Sequence, residues 1–264
     1  MIGFLSDWGH KSYYVGVAKA VIYSLNPNAT IVDITHEISP FNVREAMHIL
    51  LRASQNFPEG SVFLCVVDYG VGTARKSIAL RTRNDYFFVG PDNGLFTLVA
   101  HHFGVKDIRE ITNPRFMLKK VSASFHGRDI FAPTAALIDA GEPFEEIGHR
   151  LMTYEELKYN EARMVAGRIT GEVAYVDGFG NVETNIPGSL LEKAGIELDS
   201  SVDLVVNGRT FKAVYCRTFG DVMKGELLVH ADSSGYLEVA VNQGNAASLL
   251  KVKGGEEVFL EKGK

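Results

Sequence analysis

Polar, glycine-rich segments follow the apolar runs in the first half of the chain, and they hold the side chains that could do chemistry. Ligands of an α/β sheet bind outside the carboxyl ends of its strands, so Asp7, Asp33 and Asp68 in three of these segments should converge. Converging carboxylates, with arginine and histidine nearby, could activate a nucleophile or hold a metal ion. The segments are residues 6–9, 33–37, 68–75 and 124–129.

Single residues in these segments also have structural explanations, and several chemical motifs are absent. A carboxylate at a strand end can cap a helix, and His36 is more typical of a loop hydrogen bond than of a metal ligand. Gly70-Val71-Gly72 lacks the third glycine of a dinucleotide fingerprint. The sequence contains no P-loop, no G-x-S-x-G elbow and no H-E-x-x-H motif. A metal site made of Asp7, Asp68 and His126 stays open on residue type.

The composition limits the classes of protein to which the chain could belong. Its 264 residues include 27 Lys and Arg and 32 Asp and Glu, so the net charge is −5, whereas nucleic-acid-binding domains usually have a basic excess. No apolar run is long enough to span a membrane, and the first residues do not resemble a secretory signal. Cys65 and Cys216 are too far apart in sequence for a zinc motif. We therefore expect a cytoplasmic protein without nucleic-acid or membrane partners.

Apolar runs alternate with helical patterns in the first half of the chain. Residues 13–25 and 43–56 have apolar positions at helical spacing, and Asn42 is placed to cap the second helix. The continuous apolar run at 61–67 is typical of a strand buried on both faces. The alternation predicts an α/β domain over residues 1–155, with a mostly parallel central sheet covered by helices. The other predicted elements are strands at 2–6, 30–34, 77–83 and 86–90 and helices at 95–103 and 129–140.

The pattern changes in the second half of the chain. Residues 156–166 are charged and weakly patterned, so we predict a connection there. Beyond it, short strand-like runs are separated by turn signals such as Asn207-Gly208, which predicts a smaller all-β, barrel-like domain over residues 167–264. The runs are 167–176, 202–206, 210–214, 226–230, 236–241 and 257–260.

Segments in both predicted domains resemble the S-adenosyl-L-methionine (SAM) hydroxide adenosyltransferases. These enzymes are also called adenosine-forming SAM hydrolases, and they are related to the fluorinases and chlorinases. Each segment is a weak signal alone, but together they follow the family's order through nearly the whole chain. The segments are Asp7-Trp8-Gly9 with 14–16, residues 31–36, Asp68-Tyr69-Gly70-Val71-Gly72-Thr73 with Arg75, residues 91–94, 125–133, 177–181 with 184–185, and 234–238 with 242–246.

The resemblance implies an activity and an assembly. The family's catalytic aspartate, arginine and histidine fall on Asp68, Arg75 and His126. Halide-using relatives lack this set and carry an extra loop that is absent here, so the resemblance favours water as the nucleophile, with adenosine and L-methionine as products. It also implies a homotrimer that binds SAM between the N-terminal domain of one subunit and the C-terminal domain of its neighbour. No metal or other cofactor is implied, since the sulfonium of SAM already makes the substrate electrophilic.

Substrate-binding residues follow in part from residue chemistry and in part from the resemblance. Asp7 at a strand end could accept hydrogen bonds from both ribose hydroxyls. The resemblance places Phe179 and Asn181 against the adenine, although Phe179 could equally pack in a core. It places a further group around SAM or adenosine, of which the serine could instead only form a hairpin turn. This group is Ser234, Glu238 and Val241.

Two departures from the family pattern lie near the proposed catalytic set. Tyr69 stands where the family usually has proline, and Trp8 stands where phenylalanine is commoner. Neither change removes a catalytic group, and Tyr69 could line the pocket or stack on the ribose or methionine. Three alternatives to the hydrolase stay open. They are a halide-dependent adenosyltransferase, a SAM- or adenosine-binding module without turnover, and a metal-dependent hydrolase.

Overall fold

The chain folds into two compact units, and the boundary between them follows Leu157. The structure is a computed structural model and describes residues 1–263. Within the described residues no helix is both long and apolar enough to cross a membrane.

The first unit is built on a six-stranded sheet of order β2-β1-β3-β5-β4-β6. Strands β2, β1, β3 and β5 run parallel to their neighbours, and β4 pairs antiparallel with β5 and β6. The predicted α/β fold with a mostly parallel sheet is confirmed. Its elements are β1 (Ile2–Ser6), α1 (Tyr14–Leu25), β2 (Ile31–Thr35), α2 (Val43–Ser54), β3 (Val62–Val66), β4 (Ser77–Thr82), β5 (Phe87–Pro91), α3 (Thr97–Phe103), β6 (Val105–Glu110) and α4 (Ala132–Asp139).

Local sequence explains where these elements begin and how they pack. Every residue of β1 and β3 is buried, as expected for strands covered on both faces. Asn42 caps α2 through a hydrogen bond that its side chain accepts from the backbone N–H of Glu45, as predicted. Helices α1 and α4 pack against each other in one apolar core with β1 and β3. This core fixes the carboxyl ends of β1 and β3, which carry the candidate site.

Two features of the first unit differ from the sequence-based expectation. Strand β6 was not predicted, because Ile108 is its only buried residue and a charged edge strand lacks apolar alternation. The helix predicted over 129–140 is a π-helix at Gly127–Phe131 followed by α4. A π-helical turn of this kind often marks a functional site, and its N-terminal flank here is His126.

The second unit is a closed β-barrel, which confirms the predicted barrel-like domain. Strand β14 pairs with β8 and so closes a ring of seven strands, to which β7 adds an eighth. Strand β7 lies inside the range predicted as a connection, and β9 was missed because its sequence VETNIP is rich in polar residues. The elements are β7 (Arg163–Val165), β8 (Arg168–Val176), β9 (Val182–Pro187), α5 (Ser189–Lys193), β10 (Ser201–Val206), β11 (Arg209–Tyr215), β12 (Leu227–Ala231), β13 (Tyr236–Val241), α6 (Ala246–Leu250) and β14 (Glu257–Lys262).

Candidate active site

An open cavity of about 250 Å³ lies at the carboxyl ends of β1 and β3. Asp7 directly follows β1, and Asp68 follows β3 by two residues, so the sheet brings both carboxylates to the cavity wall. His126 reaches the same cavity from the start of the π-helix. The site therefore forms where α/β sheets usually bind ligands.

Arg75 joins Asp68 and His126 into one hydrogen-bonded group. Its Nε donates to Oδ1 and Oδ2 of Asp68 at 3.0 and 3.1 Å, and its Nη2 also donates to Oδ2. The same Nη2 lies 3.1 Å from Nδ1 of His126. The Arg75 and Asp68 side chains are only 9% and 6% exposed, so water screens this pair far less than a surface ion pair. The three residues predicted as the catalytic set thus lie in direct contact.

The Arg75 guanidinium also makes contacts besides those with Asp68 and His126. Its Nη1 donates to Oγ of Ser77 at 2.8 Å and to the carbonyl oxygen of Lys76 at 3.1 Å, and its Cζ lies 5.1 Å from the centre of the Phe131 ring. Asp68 and His126 line the cavity, whereas Arg75 lies on the other side of them. Sequence reasoning missed Ser77 and Phe131, because nothing in their spacing signals contact with an arginine.

Tight turns shape the loop that joins Asp68 to Arg75. The backbone N–H of Gly70 donates to Oδ1 of Asp68, and the Thr73 hydroxyl donates to the Gly70 carbonyl. Gly72 has a φ of +76°, and a Cβ there would lie 2.4 Å from the carbonyl oxygen of Ala123. Only glycine fits this position, which gives the Gly70-Val71-Gly72 pattern a structural rather than a dinucleotide-binding explanation.

His126 is set up to be a neutral imidazole. Burial, and next the positive charge of Arg75, lower the pKa of His126, although Asp68 and Asp129 oppose them. Because a guanidinium can only donate, Nδ1 of His126 must accept its hydrogen bond from Arg75. The single proton of the neutral ring therefore sits on Nε2.

Asp7 is a half-buried carboxylate that lines the same cavity as Asp68 and His126. Its Oδ2 accepts a hydrogen bond from the backbone N–H of Phe41 at 2.9 Å. Burial raises the pKa of Asp7 above its ordinary value, and the negative charge of Asp68 acts in the same direction. Because burial removes part of the hydration of this carboxylate, hydrogen bonds from the hydroxyl groups of a ligand would replace the lost water contacts.

Aromatic rings form one wall of the cavity. The Trp8 ring makes edge-to-face contacts with Tyr14 and Phe125 at centroid distances of 6.2 and 5.4 Å. Gly127 allows this arrangement, since a Cβ there would lie 2.4 Å from Cζ2 of Trp8. Such a wall attracts cations, because the face of an aromatic ring carries partial negative charge.

Asp33, His36 and Tyr69, which also belong to the polar segments after the strands, are not among the residues that line this cavity. Asp33 does not converge with Asp7 and Asp68, because it lies inside β2 and pairs with Lys19 and His36. His36 is buried and hydrogen-bonded to Oγ of Ser6 at 2.7 Å, as expected for a structural histidine. Tyr69 is 65% exposed and lines a separate cavity on the Arg75 side of the loop.

A second cavity, of about 600 Å³, lies in the barrel unit. Phe179, Asn181, Glu238 and Val241 line it, so four of the five binding residues predicted in this unit share one cavity. Phe179 is 83% exposed and does not pack in the core. Ser234 lies in the exposed turn between β12 and β13 and is not among the lining residues.

Asp177 positions the polar part of this second cavity. Its Oδ1 accepts from the backbone N–H groups of Phe179 and Asn181, and its Oδ2 accepts from the Asn181 amide at 3.0 Å. Because the Asn181 amide nitrogen bonds Asp177, its amide oxygen is the atom that can accept a further hydrogen bond.

The described residues contain one group of three or more metal-ligating side chains. Asp177, Glu183 and Glu238 have oxygens within 4.8 Å of one another, whereas Asp7, Asp68 and His126 do not form such a group.

A mostly parallel α/β sheet with a carboxylate, a guanidinium and an imidazole at its strand ends defines an enzyme site that can polarise a small nucleophile. The family models described as SAM hydroxide adenosyltransferase N-terminal domain and C-terminal domain match residues 2–148 and 171–259. The chain belongs to this family.

The comparisons also give similar individual proteins. An (R)-S-adenosyl-L-methionine hydrolase from Salinispora tropica is 41% identical, and the match covers 99% of this chain and 98% of that protein. A crystal structure of a conserved protein from Thermotoga maritima is 55% identical, covers 99% of this chain and 100% of its own, and superposes with a TM-score of 0.95. A fluorinase from an Actinoplanes species is more distant, with 29% identity over 99% of this chain and 97% of that protein.

Proposed function

We propose that this protein hydrolyses SAM to adenosine and L-methionine, with water attacking the ribose C5′. The contact of Arg75 with both Asp68 and His126 beside the Asp7 cavity is the observation that carries the proposal. Membership of the SAM hydroxide adenosyltransferase family and the names of its hydrolase relatives support it. Those names also support the (R)-sulfonium epimer of SAM as the preferred substrate.

The proposed reaction is a direct displacement in the first cavity. A water oxygen forms a bond to C5′, the C5′–S bond breaks with its electron pair going to sulfur, and the proton lost by the attacking water passes to bulk solvent. Asp68 and His126 face the cavity and would hold the water, while Arg75 supplies the positive charge that stabilises the developing hydroxide. The sulfonium needs no proton to leave. Holding the water in line with the C–S bond adds up to roughly 7–11 kcal/mol in favourable systems.

We propose that both cavities recognise SAM. Asp7 would accept from the ribose hydroxyls, and the aromatic wall of Trp8, Tyr14 and Phe125 would face the sulfonium. In the barrel unit, Phe179 would stack on the adenine and Asn181 would bond its edge. Glu238, Val241 and Ser234 would lie around the nucleoside, and Tyr69 would contact the ribose or methionine.

A product assay tests the reaction. The purified protein is incubated with the (R) and (S) epimers of SAM in H₂¹⁸O without halide, and products are followed by chromatography and mass spectrometry. We expect adenosine and methionine, ¹⁸O in the 5′-hydroxyl, and faster consumption of the (R) epimer. In a parallel sample with chloride we expect no 5′-chloroadenosine. Its formation would support the halide-dependent alternative, and unlabelled adenosine would argue against attack by water.

We further propose a cytoplasmic homotrimer in which each site combines the Asp68 set of one subunit with the Asn181 cavity of a neighbour. The family resemblance supports this assembly, and neither a metal nor another cofactor is proposed. Overnight dialysis against EDTA should leave activity unchanged. Loss of activity that a divalent metal restores would contradict the cofactor proposal.

Subunit complementation tests the shared site. Arg75→Met and Asn181→Ala subunits should each be nearly inactive alone. After denaturation, mixing and refolding in equal amounts, half of the subunits supply an intact catalytic set and half an intact adenine cavity. A shared site then predicts recovery of about one quarter of wild-type activity. Each variant refolded with itself is the control, and absence of recovery in the mixture would contradict the shared site.

A further inference from the structure

Asp129 is a fully buried carboxylate close to the reacting groups that the proposed mechanism does not use. It lies in the π-helix, three residues after His126. Its Oδ1 accepts from Nε of Arg128 at 2.6 Å, and its Oδ2 accepts from Nη2 of Arg128 at 3.1 Å. Oδ2 also accepts from the backbone N–H and the hydroxyl of Ser122, at 2.8 and 2.7 Å. Burial of a carboxylate is costly, so a site that supplies four donors indicates a specific use for it.

Ser122 connects this carboxylate to His126. The Ser122 hydroxyl accepts a hydrogen bond from the backbone N–H of Phe125 at 3.2 Å, which ties down the loop that ends at His126. The Ser122 backbone also lies close enough to the His126 ring to raise its pKa. Because Nδ1 faces Arg75, Nε2 is the ring nitrogen that can donate. Hydrogen bonds therefore join Asp129 to Ser122 and Ser122 to the backbone of Phe125, the residue before His126, and a second set joins His126 through Arg75 to Asp68.

We infer that Asp129 is a positioning residue for the hydrolysis, which acts through Ser122 to hold the His126 ring in the orientation and tautomer that accept from Arg75. The inference rests on the proposed function. A carboxylate that sets the tautomer and orientation of a histidine can change turnover by orders of magnitude without touching the substrate. Asp129 acts on His126 indirectly, through Ser122, so we expect a smaller effect on turnover.

The charges around His126 give the direction of a pH effect. Arg75, Asp68 and Asp129 are the charged groups that act on its ring, and Arg128 partly neutralises Asp129. Asp129 and the Ser122 backbone both raise the pKa of His126, whereas burial and Arg75 lower it. Loss of the Asp129 charge should therefore lower the pKa of His126 further. Since the neutral ring is the form that accepts from Arg75, the acidic limb of the kcat profile should move to lower pH.

Asp129→Asn is the direct test, because it removes the charge and keeps the shape. We expect kcat to fall about tenfold or more, KM to change less than about threefold, and the acidic limb to shift to lower pH. The matched control is Asp33→Asn, which alters a carboxylate that pairs with the structural His36 outside the cavity. It should leave kcat and the pH profile unchanged. Asp129→Asn with wild-type kcat and an unshifted profile would overturn the inference.

Ring NMR separates this inference from the proposed reaction. In ¹⁵N-labelled protein, the His126 resonances report the tautomer and pKa without turnover, and His126→Gln assigns them. We expect the Nε2–H tautomer in the wild type, and mixed tautomers with a lower pKa in Asp129→Asn. If Asp129→Asn does not fold, Ser122→Gly removes the hydroxyl links alone and should give the same changes at smaller size. Unchanged His126 signals in the folded variant overturn the positioning role, whereas absence of hydrolysis in the wild type overturns only the proposed reaction.

Discussion

Arg75→Met should lower kcat for SAM hydrolysis by about 10³-fold, which corresponds to about 4 kcal/mol of transition-state stabilisation. Methionine keeps much of the length and apolar contact of the arginine stem, including that with Phe131. It removes the positive charge and all the donors that Arg75 supplies to Asp68 and His126. KM should rise less than kcat falls, because Arg75 lies behind the cavity wall and not among its lining residues.

A second arginine in the same unit provides a matched control. Arg81 also pairs with an aspartate, Asp85, and its Cζ also lies over a phenylalanine ring, that of Phe87 at 5.3 Å. Its pair is exposed and remote from the cavity, so Arg81→Met should retain wild-type turnover. Similar losses in both variants would show that the Arg75 effect is general destabilisation.

Rescue of Arg75→Ala by added guanidinium distinguishes a charge that acts on the reaction from one that only stabilises the fold. Arg75→Ala leaves a space shaped for a guanidinium, and added guanidinium at millimolar concentration should restore part of the lost kcat. Arg75→Lys keeps a charge but cannot make the forked contact with Asp68, so it should recover little activity. An Arg75→Ala variant that guanidinium does not rescue, with kcat within about threefold of wild type, would contradict the electrostatic role.

Much of the fold could be predicted because its signals are local. The fully apolar β3 and the Asn42 cap identify a parallel α/β unit from sequence alone. Strands β6 and β9 escaped prediction because a strand at a sheet edge or in a polar part of a barrel does not need apolar alternation. The bounds of a π-helix also lie outside what helical periodicity can show.

Site residues that directly follow a strand could be predicted from the sequence. Contacts that depend on how side chains pack in three dimensions could not. Asp7 and Asp68 meet because parallel strands end at one edge, but Asp33 precedes the end of its strand and its partners are Lys19 and His36. The contacts of Arg75 with Ser77 and of Asp129 with Ser122 are local in sequence but depend on side-chain orientation. Residue spacing does not predict such contacts, although Asp129 does lie in a segment that carries the family resemblance.

His126→Ala should lower kcat by about 10²–10³-fold, and the pH dependence of a milder variant should show why. The wild-type ring is neutral at pH 7, since burial and Arg75 lower its pKa. As the pH falls through that pKa, the ring gains a proton on Nδ1, loses its ability to accept from Arg75 and acquires a charge of the same sign. Turnover by the wild type should therefore be constant above the His126 pKa and fall below it.

His126→Gln separates a neutral hydrogen-bonding role from proton uptake by the ring. The glutamine amide can accept from Arg75 through its oxygen and has a donor nitrogen in place of Nε2, but it does not titrate. We expect this variant to retain more activity than His126→Ala and to lose the acidic limb, which lies below about pH 6.5 because the pKa of His126 is lowered from its ordinary value. Equal losses in the two variants would contradict the neutral hydrogen-bonding role. A His126→Gln profile with the wild-type acidic limb would place the titrating group elsewhere, with Asp7 as the next residue to replace, since burial raises its pKa.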